Sequence, residues 1–254
     1  MAPLLEVCDV TVRFGGLTAV DRVSFQVDAG EICALIGPNG AGKTTLFNAI
    51  AGNAMPDAGR ILLRGEAIDG LTPHEISAKG VRRTFQNGSL FDDLTVLENV
   101  LVGLHTQVDS GFLGLLLGGR AAARSEMSAT RQASELLGLM DIAHLADRPV
   151  TELSGGQQRM VEIVRALAVD PPLLLLDEPA VGLAPAMREQ LGAIIRRLAR
   201  ERALGIVLIE HALELVMNIS DRILVFNDGR KVADGPPAVV RADKKVLEAY
   251  LGHA

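Results

Sequence analysis

The chain has 254 residues, is 48% hydrophobic and carries a formal net charge of −6, which is enough apolar material to bury one large core, or a domain with a sub-domain, and too much for a disordered protein. The acidic balance argues against a nucleic-acid-binding surface, and no nucleic-acid partner is expected. No apolar stretch approaches the ~20 residues needed to cross a bilayer, since the longest candidate, Gly111 to Gly119, is short and glycine-rich, and the polar start after Met1-Ala2-Pro3 gives no expectation of a secretory signal.

Strand patterns come first along the chain. Val10, Val12 and Phe14 alternate with polar residues, as do Val23, Phe25 and Val27, and Asp28-Ala29-Gly30 supplies a turn before the apolar run Ile32 to Ile36. The two cysteines, Cys8 and Cys33, lie in such runs without metal spacing, so two buried thiols in a reducing compartment are expected. Next comes Gly37-Pro38-Asn39-Gly40-Ala41-Gly42-Lys43-Thr44, which fits the phosphate-loop pattern G-x-x-x-x-G-K-[ST] between a strand and a helix opening at Lys43 and running to about Ala51. Glycine frees the backbone to turn consecutive N–H groups toward one anion, and the helix adds its positive end. Lys43 adds a full charge, leaving the Thr44 hydroxyl for Mg²⁺.

A turn at Pro56-Asp57-Ala58-Gly59 and a short strand from Arg60 to Leu63 follow. From about Asn87 to Leu167 the spacing turns helical, with apolar residues at Leu94, Leu97, Val100, Leu101 and Leu104, then Leu136, Leu137, Leu139 and Met140, which reads as an inserted helical sub-domain. Within it, Ser154-Gly155-Gly156-Gln157 caps a helix running to Leu167, an end with free N–H groups that could take a second phosphate cluster, although alone such a string is usually only a cap. Strand and helix alternate again through Leu173 to Leu176, a helix from Met187 to Leu198, and Ile206 to Ile209, as buried parallel strands require. The Leu173 strand ends in Asp177-Glu178, putting two carboxylates at the carboxyl edge of the sheet, where ligands bind in such folds. Asp177 is the candidate Mg²⁺ holder and Glu178 the candidate base for an attacking water.

Together, Gly37 to Thr45, Gln86, Leu153-Ser154-Gly155-Gly156-Gln157-Gln158-Arg159 and Asp177-Glu178 closely resemble the signature of ATP-binding cassette (ABC) ATPases, over essentially the whole chain. The resemblance implies an α/β fold with a P-loop NTPase core of the ABC ATPase type, an antiparallel β sub-domain and an inserted helical sub-domain. Residues 1–254 would form one ABC ATPase domain, with 1–86 and 168–254 as the core and 87–167 as the helical part. It implies ATP and Mg²⁺ as cofactors. Asn39, Gly40, Ala41, Gly42, Lys43, Thr44 and Thr45 would cradle the phosphates, and Thr44, Gln86 and Asp177 would attend the metal. Glu178, His211 and Gln86 would be catalytic, with His211 contacting the γ-phosphate and Gln86 marking the hinge to the helical part. Phe14 falls where the family sets a ring against adenine, although a strand core residue fits its spacing equally well. Ser154, Gly155, Gly156 and Gln157 would cover the γ-phosphate bound to a second subunit in a head-to-tail dimer.

One position departs from the family pattern, Ala184 standing where many relatives carry an acid, which removes a polar link between the two ATP sites. Within the family the chain most resembles ATPases of bacterial importers for branched-chain and other hydrophobic amino acids, through Arg83-Thr84-Phe85-Gln86, Leu94 to Val100, Leu153 to Arg159, Glu178 to Leu183, Leu247 to Gly252 and the insertion around His105 to Arg124. That implies integral membrane permease subunits as partners, a periplasmic or surface binding protein acting through them, a docking groove beside Gln86 and the Leu90-Phe91 turn, and a place on the cytoplasmic face of the cell membrane. Lipopolysaccharide-export ATPases are the alternative inside the transport class. A non-transport ABC ATPase would bring two cassettes, a long coiled coil or a basic surface, and the sequence has none of these.

Overall fold

A computed structural model describes residues 2–84, 90–105, 120–243 and 246. Gln86, the greater part of the insertion between His105 and Arg124, and the terminal string Leu247 to Gly252 lie outside the described residues. The strands are β1 (Leu5–Phe14), β2 (Leu17–Val27), β3 (Ile32–Ile36), β4 (Ala58–Leu63), β5 (Glu66–Ala67), β6 (Val81–Arg83), β7 (Leu173–Asp177), β8 (Gly205–Ile209), β9 (Arg222–Asn227) and β10 (Arg230–Gly235). The described helices are α1 (Lys43–Ile50), α2 (Pro73–Ala78), α3 (Val96–His105), α4 (Arg120–Leu139), α5 (Gly155–Leu167), α6 (Pro185–Arg202), α7 (Leu213–Ile219) and α8 (Pro237–Ala242). None of the described helices is long and apolar enough to cross a membrane.

The chain divides into two compact units, one of Met1–Arg83, Pro172–Val181 and Arg188–Ala254, the other of Thr84–Pro171 and Gly182–Met187. In the first, β1 pairs antiparallel with β2 from Leu5 opposite Val27 to Phe14 opposite Leu17, and the sheet runs in the order β2-β1-β4-β5. Its inward pleat positions hold Leu5, Val7, Val10 and Val12 in the core. Cys8 is exposed, contrary to the expectation of two buried thiols: Val7 takes the inward position, so its neighbour faces out, and only Cys33 is buried. The expected Pro56 to Gly59 turn is also shorter. β4 already begins at Ala58, which pairs with Thr11, and Gly59 passes so close to the carbonyls of Cys8 and Asp9, at a register shift of β1, that a Cβ there would sit 2.5 Å from either oxygen.

The second sheet of this unit has the order β10-β9-β3-β8-β7-β6, parallel except for the edge strand β10, which returns antiparallel to β9. Every residue of β3, β7 and β8 is buried, which is why these strands read as unbroken apolar runs with no alternation. α6 extends past the expected Met187 to Leu198, because the polar residues that blur its ends still present Leu191, Ile194, Ile195 and Leu198 on one buried face.

The second unit is helical. α3 opens at Val96, so Leu94 falls in the preceding turn: the Thr95 hydroxyl accepts from the Glu98 amide at 3.2 Å while Glu98 Oε2 accepts from the Thr95 amide at 2.8 Å, a reciprocal cap that fixes the helix start. The fully buried Asn99 side chain ties that turn back, accepting from the Phe91 amide at 2.8 Å and donating to the carbonyls of Phe91 at 3.1 Å and Thr95 at 3.0 Å. The turn thereby holds Phe91 half exposed, with the Arg165 guanidinium 5.8 Å from its ring centre.

The edge hairpin β9-β10 is pinned by charge. Arg222 donates to both oxygens of Asp234 at 2.5 and 2.7 Å and Lys231 donates to the same carboxylate at 2.6 Å. Burial pushes the Asp234 carboxyl up, but the hydrogen bonds from Arg222 and Lys231 outweigh it and hold the group below its ordinary value of 3.8. Stability from a carboxylate lowered in the folded state is complete above the unfolded value and is lost as pH falls through the folded one. Asp234→Asn is therefore expected to cost about 1 kcal/mol at neutral pH, with the gap from the parent closing in acid below the carboxylate range. Denaturant unfolding of both chains across pH measures it, and a gap that persists in acid would rule out the ion pair as its source.

Candidate functional site

The loop after β3 is held by close backbone approaches. A Cβ on Gly37 would run into the Phe226 carbonyl on β9, and one on Gly42 into the Ala19 carbonyl on β2. Gly42 (φ 99°) and Gly40 (φ 80°) also take left-handed conformations that side-chain-bearing residues rarely adopt. The Gly229 amide donates to the Ala41 carbonyl at 3.1 Å and the Gly229 carbonyl accepts from the Asp21 amide at 2.8 Å, so the β9-β10 turn and β2 buttress the loop from behind. α1 begins at this loop with no side chain capping it, leaving its first-turn amides for a ligand.

Lys43 is buried, and its ammonium donates to the carbonyls of Gly37 and Pro38, each at 2.8 Å. Burial lowers its pKa, against the opposing pull of Glu178 and Asp177. The charge thus rests on the loop's own carbonyls.

A cleft of about 400 Å³ lies over the loop. It is lined by Phe14, Leu17, Thr18 and Ala19, by Asn39, Gly40, Ala41, Gly42, Lys43, Thr44 and Thr45, and by Glu178, His211, Asp228 and Gly229. All of these belong to the first unit. Phe14 is 56% exposed at the end of the β1-β2 hairpin, so it is a lip of the cleft and no core residue. Leu17, Thr18, Ala19, Asp228 and Gly229 went unnoticed in the sequence. An Asp-Gly pair between strands signals a hairpin turn, but its arrival beside the phosphate loop depends on strand order.

β7 and β8 run side by side, with Asp177 opposite Ile209, and deliver the acid and imidazole groups together. Glu178 sits in the left-handed region at φ 49°, a conformation that costs a non-glycine residue energy and turns the chain sharply off the strand. Its Oε1 lies 3.1 Å from His211 Nε2, within hydrogen-bond distance.

Asp177 is fully buried, and its Oδ2 accepts from Arg83 at 2.6 Å, while the same guanidinium donates to Asn48 Oδ1 at 2.6 Å and lies 5.7 Å from the Phe47 ring centre. This knot joins β6, β7 and α1. Among the described residues no group of three His, Cys, Asp or Glu is gathered around a metal position. Thr44 lines the cleft, whereas Asp177 is not among its lining residues and has Oδ2 on Arg83; both carry hard oxygen atoms, the kind that suits Mg²⁺, a cation that takes one or two protein ligands and fills the rest with phosphate oxygens and water.

The string Ser154, Gly155, Gly156, Gln157 belongs to the second unit and is not among the residues lining the cleft. Ser154 caps α5: its hydroxyl accepts from the Gln157 amide at 3.3 Å and Gln157 Oε1 accepts from the Ser154 amide at 3.0 Å. A Cβ on Gly156 would strike the side chains of Met187 and Leu183. Gln86 lies outside the described residues.

The Arg83 and Asp177 side chains are 12% and 1% exposed, so solvent screens their pairing little. Removing one partner of such a pair leaves the other charge poorly compensated in a low dielectric, and Arg83→Met is expected to lower stability by about 3 kcal/mol. A urea-unfolding midpoint equal to that of the parent would overturn this.

A sequence family described as ABC transporter matches residues 20–181, and another described as Branched-chain amino acid ATP-binding cassette transporter matches residues 230–254. The chain is 45% identical over 252 residues to the high-affinity branched-chain amino acid transport ATP-binding protein BraF of Pseudomonas aeruginosa, covering 99% of each chain. It is 43% identical, with the same coverage, to the corresponding protein LivG of Escherichia coli K12. The fold matches the crystal structure of the ADP conformation of MJ1267, an ATP-binding cassette of an ABC transporter, at a TM-score of 0.86 and 32% identity over 100% of both chains. It also matches a dimeric post-hydrolysis state of the ATP-binding cassette MJ0796 bound to ADP and Pi, at a TM-score of 0.76 and 25% identity over 92% of this chain and 98% of that one. The chain belongs to the ABC transporter family and is an ATPase coupled to transport.

Proposed function

We propose that this chain hydrolyses ATP to power transport of branched-chain or other hydrophobic amino acids across a bacterial cell membrane, docked on its cytoplasmic face to integral permease subunits that receive substrate from a periplasmic or surface binding protein. The observation that carries the ATPase site is the meeting of Glu178 and His211, 3.1 Å apart, in the same cleft as the phosphate loop. The substrate class is that of the BraF and LivG relatives, and the resemblance to importer ATPases supports import. Phe14 faces the base of the nucleotide, and residues Asn39 to Thr45 surround its phosphates. Lys43 leaves the Gly37 and Pro38 carbonyls for the β- and γ-phosphates. Thr44, Asp177 and Gln86 attend Mg²⁺, which when bound neutralises charge on the phosphates. Glu178 orients and polarises the attacking water, and His211 contacts the γ-phosphate while steadying Glu178. Ser154, Gly155, Gly156 and Gln157 close over the γ-phosphate held by a second copy or a homologous ATPase, so ATP drives closure and hydrolysis releases it. The half-exposed Phe91 belongs to the surface that meets the permease.

Glu178→Gln keeps the size of the side chain and removes its basicity, so turnover is expected to fall by a factor on the order of 10² or more while ATP binding persists and the closed dimer accumulates. Phosphate release and size-exclusion chromatography with ATP and Mg²⁺ test this; a wild-type rate counts against the role. Sharing of sites between subunits has a separate test. Lys43→Ala and Ser154→Arg chains are each expected to be inactive alone, whereas mixing them, with the membrane partner present, assembles one intact site and restores part of the hydrolysis. Full activity in Ser154→Arg alone would sink the shared-site arrangement.

A further inference from the structure

Glu210 is 2% exposed and is not among the residues lining the cleft. A carboxylate so placed must find donors, because burial without them is costly. It finds three, all backbone amides: Ala180 donates to Oε1 at 2.7 Å, and His211 and Ala212 donate to Oε2 at 2.9 and 3.1 Å. These amides belong to two different segments. Ala180 lies just beyond β7, two residues after Glu178; His211 and Ala212 lie just beyond β8.

The ladder between these strands ends at Asp177 opposite Ile209, with one further bond from the Glu178 amide to the Ile209 carbonyl at 2.9 Å. Among the described residues no later backbone bond joins the two exits. The contact between His211 Nε2 and Glu178 Oε1 therefore depends on two segments keeping a fixed separation past the end of their sheet, one of them carrying the left-handed Glu178. We propose that Glu210 is a positioning residue that clamps the exits of β7 and β8 and so holds Glu178 and His211 at working distance, an inference that rests on the roles given to those two residues above. One oxygen serves each exit, and a carboxylate suits the task because both oxygens accept. An amide would set an NH₂ donor against a backbone donor on one side, and an alkyl side chain would leave all three amides without this acceptor.

The clamp is testable in the full chain without any variant. In hydrogen exchange by NMR, the amides of Ala180, His211 and Ala212 are expected to be protected although they lie outside the ladder; free exchange at all three overturns the clamp. Glu210→Gln is expected to lose protection at one exit while β7 and β8 keep theirs, to bind ATP within about twofold of wild type, and to turn over roughly tenfold more slowly. A role confined to fold stability would not spare ATP binding while slowing turnover. Because the effect passes through the Glu178 and His211 pair, adding Glu210→Gln to His211→Ala should lower turnover by less than about twofold beyond His211→Ala alone. Wild-type turnover in Glu210→Gln beside a slow His211→Ala, or losses that multiply in the double variant, refutes the proposal. A His211→Ala chain with wild-type turnover instead refutes the role given to His211, and the exchange data still decide whether Glu210 holds the exits.

Discussion

The close approach of Gly37 and Gly42 to the carbonyls of Phe226 and Ala19 leaves no room for a single added carbon, and this contact sets where the loop and the start of α1 lie in the cleft. β2 and β9 belong to different sheets, yet both press on one loop and fix its amides in space. A loop free to relax would have to be ordered by the ligand, at a cost in binding. Here that ordering is supplied by folding, and Lys43 waits on the loop's own carbonyls at 2.8 Å.

The carboxylates that follow β7 show how one strand end divides labour by burial. Asp177, the last residue of the strand, is enclosed and tied to Arg83, and through it to Asn48 on α1. Glu178, one residue on, swings by its left-handed turn to the cleft and meets His211. Neighbouring residues on a strand point in opposite directions, and the turn adds to that separation. Two adjacent acids thus acquire different surroundings, a precondition for different chemical tasks.

Parallel strands suit this arrangement because their carboxyl ends align, so loops distant in sequence emerge together. Alignment of strands does not by itself align side chains beyond the last hydrogen bond. Short polar clamps, such as the Glu210 carboxylate on its three amides and the Asn99 amide under the Phe91 turn, carry order past the ends of regular structure in the first and second units respectively.

Much of this was legible in the sequence where chemistry is local. The glycines and lysine of the phosphate loop, the unbroken apolar runs of β3, β7 and β8, and the Ser154 cap each depend on a few consecutive residues, so their pattern is written in order along the chain. Only tertiary structure decided the rest. The three residues of β6 are too few to show a period, so the strand that carries Arg83 to Asp177 had no signal of its own. Cys8 faces out because of its place in the pleat, and Phe14, whose spacing suited a core strand equally well, is exposed because the hairpin end overhangs the cleft. The meetings of Asp228-Gly229 with the phosphate loop and of Glu210 with Ala180 join segments that only sheet order makes neighbours. Side-chain type and spacing are local properties, whereas which side chain a strand end faces is set by the order of the sheet.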